Sequence, residues 1–319
     1  MTVAVAAGID AGKSYLDIGI EPARRHFRVM NAPAGIEDAV SRLQQAGVDR
    51  VVLEAIGPFA QPAVRRLVAA GFQVALINPR RIKAFREAEG KRAKTDRLDA
   101  RLIARFAIRM SDALRPLPSE SQQELKALAT RRRQLVEMIA MEKTRLKQTV
   151  DPWLCESHRT AIATLSAERS RIEANLDARL TADAAAQRRR AILFSIPGFG
   201  PAVSTTLITD LPELGTLDRR AIASLAGLAP HPNQSGTSIG RNQIGGGRPC
   251  VRTALYMAGL VASRCNPRFR AEYRSMRADG KPAKVALIAV ARKLLVLANT
   301  LVKQDRRYDP AYSGANITH

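Results

Sequence analysis

Acidic residues are the scarce charge in this chain. Asp and Glu number 29 against 51 Lys and Arg over 319 residues, a formal net charge of +22. Such an excess points to a polyanionic partner held by phosphate neutralisation and counterion release. Cysteine is scarcer still. Cys155, Cys250 and Cys265 lie far apart and form no CxxC pair, which argues against a zinc ribbon or a disulfide framework and favours reduced thiols. The four histidines, His26, His158, His231 and His319, show no metal-ligand spacing. No long apolar run is unbroken. The most apolar late stretch, VALIAVARKLLVLANTLV, is interrupted by Arg292 and Lys293 and reads as a buried or amphipathic helix, so no membrane partner is expected. The opening MTVAVAAGID lacks a basic n-region, and no signal peptide is read. What is plentiful is apolar residue, 46% of the chain, ample for a packed core.

The pattern divides the chain into regions. Residues 1–112 alternate strand and helix signals. VAVAAGI, YLDIGI and HFRVMN read as three strands, the first two a hairpin. GIEDAVSRLQQAG follows as a helix ending at Gly47. RVVLEA is a strand, PFAQPAVRRLVAAG a helix closed by Gly71, and QVALINP a strand stopped by Pro79. The order βββαβαβ, with more helix after it, predicts an RNase H-like sheet. Thr95 can cap a helix through DRLDARLIARFAIRM. Pro116 and Pro118 mark a boundary. Residues 113–190 carry a thin apolar stripe, Leu125, Leu128, Leu135, Ile139, Leu146 and Val150, then Leu165, Ile172, Leu176 and Leu180. This predicts two long helices joined near Asp151–Pro152, as an antiparallel coiled coil or an oligomer seam. Residues 191–305 read as a mostly helical third region and residues 306–319 as a tail. The expected class is α/β plus α.

Within this basic chain four carboxylates sit at telling places: Asp10 closes the first strand, Glu54 closes RVVLEA, and Asp96 and Asp99 share a helix face in KTDRLDA. Strand-end acids of an RNase H-like sheet can face one pocket. Oxygen-only donors suit Mg²⁺, or Mn²⁺, which keeps waters and takes phosphate oxygens as further ligands. Two such ions roughly 4 Å apart can clamp an in-line displacement at phosphorus. Singly, each acid has an ordinary reading: Asp10 shapes the turn before Gly12, Glu54 is an exposed strand end, Asp96 assists a helix start, and Asp99 pairs with Arg101 or Arg105. Asp17 is a weaker contender. GKS at Gly12–Ser14 is no phosphate loop, since Ala7 stands where that motif needs glycine and YLDIGI follows where it needs a helix. A likeness to the first phosphate hairpin of sugar kinases and actin-like ATPases lacks its second hairpin.

SIPGFGP is similar to the turn of a helix-hairpin-helix, with Gly198 and Gly200 allowing backbone N–H groups close to a phosphate. The loop PHPNQSGTSIGRNQIGGGRP holds Ser235 among glycines, with Arg241, Arg248 and Arg252 nearby and Pro249 opening the next helix. Such a helix start is a ready phosphate site. By composition alone Ser235 is an ordinary loop residue. His231 lies close, but no G-x-S-x-G elbow exists for a serine hydrolase.

Together, GIDAGKSYLDI, LEAIG, INPRRIKAFREAEGKRAKTDRLDA and IPGFGP…LAGLAPHPNQSG…GRNQIGGGRPCVRTALYMA resemble the one-ten family of insertion-sequence transposases over nearly the whole chain. The resemblance implies a RuvC-like domain whose DEDD acids are Asp10, Glu54, Asp96 and Asp99, binding Mg²⁺ or Mn²⁺. It implies a C-terminal domain whose serine before a glycine is Ser235; spacing alone leaves Ser238 open. It further implies a site-specific recombinase that cuts and rejoins donor and target DNA through a covalent phosphoserine, guided by a noncoding bridge RNA. In that division of labour base pairing carries sequence specificity. A homodimer, and a tetramer when active, is implied, as is a bacterial cytoplasmic, nucleoid-associated setting. The alternative is a RuvC-like structure-specific endonuclease using metal-activated water.

Overall fold

The computed structural model describes residues 5–310 except 55–57, 91–95, 112–113, 232–233, 236–237 and 240–242. The chain forms two compact units, Met1–Ser119 and Glu120–His319.

The first unit is built on a sheet of strands β1 (Ala6–Ala11), β2 (Tyr15–Glu21), β3 (Arg25–Met30), β4 (Arg50–Glu54), β5 (Gln73–Ile77) and β6 (Arg115–Pro116). Their spatial order is β3-β2-β1-β4-β5-β6. The first three form an antiparallel meander, while β4 and β5 run parallel to β1. This is the arrangement expected of an RNase H-like sheet. Alternation sends successive side chains to opposite faces. Ala7, Ile9, Leu16, Ile18, Val51, Leu53 and Val74 bury against α1 (Pro33–Gln45) and α2 (Gln61–Ala69). Ala6, Val52, Ala75 and Ile77 bury on the other face with Ile82 of α3 (Pro79–Ala88) and Leu102, Ile103 and Phe106 of α4 (Asp96–Arg109).

Two elements differ from the sequence expectation. Pro79 does end β5, but it also opens α3 as its first-turn proline, with the Asn78 side chain accepting from the Arg80 amide at 2.9 Å. Pro116, expected as a boundary, pairs across from Ala75 in β6, an edge position that a residue without an N–H tolerates. The Thr95 cap lies outside the described residues.

The second unit begins with α5 (Glu120–Gln148) and α6 (Pro152–Ala182), turned at Asp151, whose carboxylate accepts from the Leu154 amide. Arg132 meets Glu173 and His158 meets Glu142, while Arg179 pairs with Glu124. These pairings descend one helix as they climb the other, so the two form an antiparallel hairpin. Its apolar stripe is unequal. Leu125, Leu176 and Leu180 join the core of the unit, whereas Val150 is 93% exposed and Trp153 76%. Helices α7 (Ala184–Phe194), α8 (Pro201–Asp210), α9 (Arg219–Leu225), α10 (Pro249–Cys265), α11 (Pro267–Ala278) and α12 (Ala283–Lys303) complete it. Among the described residues α12 alone is long and apolar enough to cross a membrane, and Val290, Ala291, Leu294 and Leu295 on it are buried in the core.

Candidate active site: an acidic sheet edge and a clamped serine loop

The acids are placed by sheet register. Ala6 to Ile9 of β1 pair in parallel with Arg50 to Leu53 of β4, so one further step sets Asp10 beside Glu54 at the ends of neighbouring strands. Paired strands lie about 4.8 Å apart, within reach of one shared ligand. Both residues are half-buried. Asp10 also faces Asp17 across β2. The same face is closed by α4, which crosses the glycine pair Gly8 and Gly19. A Cβ on Gly8 would lie 2.3 Å from the Ala100 carbonyl oxygen, and one on Gly19 2.7 Å from the Arg101 backbone. Only glycine lets the helix seat this close. Ala6 clusters with Ile103, Phe106 and Ala107, so the earlier residues of α4 lie toward the Asp10 end of the strand. Asp99 belongs to that earlier part and is buried. Asp96 is the first residue of α4, and its side chain lies outside the described part.

Each described acid on this face already has a cation or a neighbour. Arg86 of α3 places Nη2 2.5 Å from Asp99 Oδ1, with both side chains largely buried. The sequence alternatives for Asp99 are occupied elsewhere: Arg101 reaches Glu21 and Arg105 reaches Glu89. Asp17, only 4% exposed, accepts from His26 Nε2 at 2.9 Å and from Arg28 at 2.8–3.2 Å. Alternation with Leu16, Ile18 and Ile20 sets Asp17 on the Asp10 face; the burial of that face follows from α4 lying across it at Gly8 and Gly19.

A divalent cation fits the donor chemistry, which is carboxylate oxygen throughout. The Arg86 guanidinium at Asp99 marks a place where this fold needs positive charge. Among the described residues no three such side chains are gathered tightly enough to hold an ion as they stand.

The serine loop is positioned differently. Ser235 lies in a two-residue strand, β8 (Gln234–Ser235), paired with β9 (Ser238–Ile239), so Ser235 stands opposite Ser238. Their side chains lie outside the described part, as does Arg241 altogether. Strand β7 (Pro230–His231) pairs with β10 (Gln243–Ile244). Below it Gly227 and Gly247, both at positive φ, pack so closely that a Cβ on Gly247 would sit 2.3 Å from the Gly227 nitrogen. Arg252 donates to the Gly246 carbonyl at 2.8 Å. Arg248 donates to both carboxylate oxygens of Glu213, at 2.6 and 2.5 Å, and to the Asp210 carbonyl at 2.8 Å, while its amide donates to Leu225. Two of the arginines expected at phosphate, Arg248 and Arg252, thus bond within the unit. Beneath them buried Asp210 accepts from Arg133 and from Thr209. Burial pushes the Cys250 thiol up, and the negative charge of Asp210 adds to it.

SIPGFGP links α7 to α8. Gly198 backs onto α10, where a Cβ would meet Ala262 at 2.9 Å, whereas Gly200 opens α8 beside free space.

Comparison with known proteins decides the identity of this arrangement. Residues 7–153 match the DEDD family model of IS110 transposases, and residues 190–274 match the model described as Transposase IS116/IS110/IS902 family. The chain belongs to the IS110 family of transposases. It is thus an enzyme that cuts and rejoins DNA. Among its relatives are the pilin gene-inverting proteins of Moraxella bovis and Moraxella lacunata, each 27% identical over 263 residues and covering 81% of either chain. The 42 kDa protein of insertion element IS900 from Mycobacterium paratuberculosis is 31% identical over 137 residues, 40% of this chain and 33% of that one. The solved structure of T. thermophilus RuvC in complex with a Holliday junction substrate covers 36% of this chain and 99% of its own at 21% identity, with a TM-score of 0.27.

Proposed function

We propose that this transposase is a site-specific DNA recombinase of an insertion sequence, guided by a bridge RNA, that stores the cut phosphodiester as a phosphoserine on Ser235. The observation that carries the reading is the register that brings Asp10 beside Glu54 on the face covered by α4, the helix bearing Asp96 and Asp99. Asp10, Glu54, Asp96 and Asp99 would hold Mg²⁺ or Mn²⁺. When bound, that ion supplies charge neutralisation and polarisation at the scissile phosphate. Arg86, paired with Asp99, supplies positive charge at that carboxylate.

The serine step balances without a nucleoside triphosphate. The Ser235 hydroxyl gives up its proton as Oγ bonds to phosphorus. The bond from phosphorus to a deoxyribose oxygen breaks, and that oxygen takes a proton. A second deoxyribose hydroxyl then reverses the exchange on a new partner strand, conserving the number of phosphodiesters. Gly200 and Arg241 are assigned to the DNA backbone. Arg248, Arg252 and Gly198 act through the shape of the loop and turn. The α5–α6 hairpin, with its exposed apolar tip, is assigned to self-association as a dimer, and as a tetramer when active. The setting is the bacterial cytoplasm, on the nucleoid.

The test is a suicide DNA substrate, nicked so that cleavage cannot be reversed, offered with the RNA that co-purifies from the host. A covalent protein–DNA adduct mapping to Ser235, lost in Ser235→Ala and kept in Ser238→Ala, is the expected result. Cleavage without any adduct would replace the serine step with hydrolysis by activated water, the mode of a structure-specific endonuclease.

A further inference from the structure

A second cationic site lies in the helical unit, at the corner where α10 turns into α11 through Asn266. Leu260, Ser263 and Arg264 are spaced i, i+3 and i+4 on α10, and Arg270, Tyr273 and Arg274 repeat that spacing on α11. Each triplet therefore lies on one helix face. Both faces line one groove of about 480 Å³, floored by Leu287 of α12. That volume suits a small ligand better than a single ion, since ligand sites run about 300–1,000 Å³.

The charge in this groove is uncompensated. Among the described residues Arg264, Arg270 and Arg274 have no carboxylate partner. The nearest acid in sequence, Glu272, is turned to Lys293 Nζ at 2.8 Å and to Arg268 at 3.3 Å. Nε of Arg270 is buried with no hydrogen-bond partner. An unpaired guanidinium nitrogen inside a cavity costs free energy unless something accepts from it. Arginine forks match phosphate oxygens, and a tyrosine between them offers a face on which a base can stack.

We propose that this corner binds one nucleotide of an unpaired nucleic-acid strand, its phosphate on Arg264, Arg270 and Arg274 and its base against Tyr273. The inference rests on the reading above only in taking nucleic acid as the anion. It places a strand-binding surface where the sequence motifs mark none.

The test uses the full chain and labelled oligonucleotides: unpaired DNA, unpaired RNA, and duplex DNA. The combined variant Arg264→Gln, Arg270→Gln and Arg274→Gln should bind unpaired strands at least about tenfold more weakly. Its plot of log affinity against log salt should be shallower by about 0.7, for the one phosphate that is no longer neutralised. A control replacing three exposed cations elsewhere, Arg219→Gln, Arg220→Gln and Arg307→Gln, should stay within about twofold. Tyr273→Leu, which keeps the charge, should weaken unpaired strands by about tenfold and leave duplex unchanged, as loss of stacking requires. Which of the two unpaired strands suffers more assigns the groove to DNA or to RNA. Equal losses in the groove variant and the control would overturn the proposal. A second measurement needs no variant: an unpaired oligonucleotide should shield Arg264 and Arg270 of the wild-type chain from phenylglyoxal. Unchanged modification would overturn it too. Because binding is read apart from adduct formation at Ser235, either proposal can fail while the other stands.

Discussion

The acidic edge and the serine loop, the two places proposed to carry the chemistry, are built in opposite ways. In the α/β unit, the acids ride on strands and a helix, and their relation follows from pairing register and from two glycines that let α4 sit on the sheet. In the helical unit, the serine rides on two-residue strands, and what is fixed is the loop's base: a close approach of two glycines and an arginine clamped to Glu213. A register-built site breaks only when the fold breaks. A clamped loop can lose its aim while the fold survives. The contrast matches the proposed division of tasks, in which acids set by register would position a phosphate and Ser235 would attack it.

The largest expected effect tests the first construction. Gly8→Val puts a branched side chain where the Ala100 carbonyl stands, and its cross-strand neighbour Gly19 is also crowded by the α4 backbone. Neither the strand nor the helix backbone can yield without losing the other. We expect destabilisation of the α/β unit by about 3 kcal/mol, with recombination abolished. Urea denaturation followed by limited proteolysis would show whether the unit opens first; a variant of native stability would mean that α4 is not held by this close packing.

The second construction should respond differently. Gly247→Ala forces a left-handed backbone at φ +59 onto a residue with a Cβ, against the Gly227 nitrogen. The conformational part alone costs about 1–2 kcal/mol. Because the strain sits at the loop base, we expect the single-turnover rate to fall about a hundredfold while the melting temperature drops by only a few degrees, about what such a cost gives in a unit of this size. Equal losses of stability and rate would erase the contrast between the two sites.

The contrast also explains what is legible in the sequence. Strands β1 to β5 follow from short runs bounded by turn residues, apolar in β1, β4 and β5 and alternating in β2, which are local signals; the neighbouring of Asp10 and Glu54 follows from the pairing of two such runs. Helix α3 escapes a reading that treats Pro79 as a stop, although Asn78 before it is a capping residue and a first-turn proline is favoured. Strand β6 is not readable, as two residues carry no period. At the serine loop, the Gly and Arg content is visible but its meaning is not. Charge does not reveal that Arg248 is bound to Glu213, 35 residues earlier. The pairing of Asp99 with Arg86 rather than Arg101 or Arg105 is long-range in the same sense.

A smaller effect is expected at that clamp. Arg248→Lys keeps the charge but loses the two-pronged bond to Glu213. We expect a loss of about 1–2 kcal/mol and about a tenfold slower serine step, with Glu213→Gln giving the same phenotype and the double variant little worse than either. Additive losses in the cycle would mean that the two residues act separately and that the clamp does not set the loop.

The smallest effect concerns pH. Helix α9, which leads into the loop, is capped by Asp218, whose carboxylate accepts from the Ala221 and Arg220 amides at 2.9 and 2.7 Å. Those two bonds, the Ala221 bond first, hold its pKa below the ordinary carboxylate value. A group depressed on folding stabilises above its unfolded pKa and loses that contribution as pH falls through the folded one. Asp218→Asn keeps a capping oxygen but cannot titrate. The wild type should therefore be the more stable at neutral pH, with the difference shrinking only below the usual carboxylate range, as read from urea midpoints across that range. Because the carboxylate is fully exposed, added salt should narrow the gap. A gap that persisted unchanged in acid would place the cap's contribution in hydrogen-bond geometry and remove charge from the way α9 supports the loop.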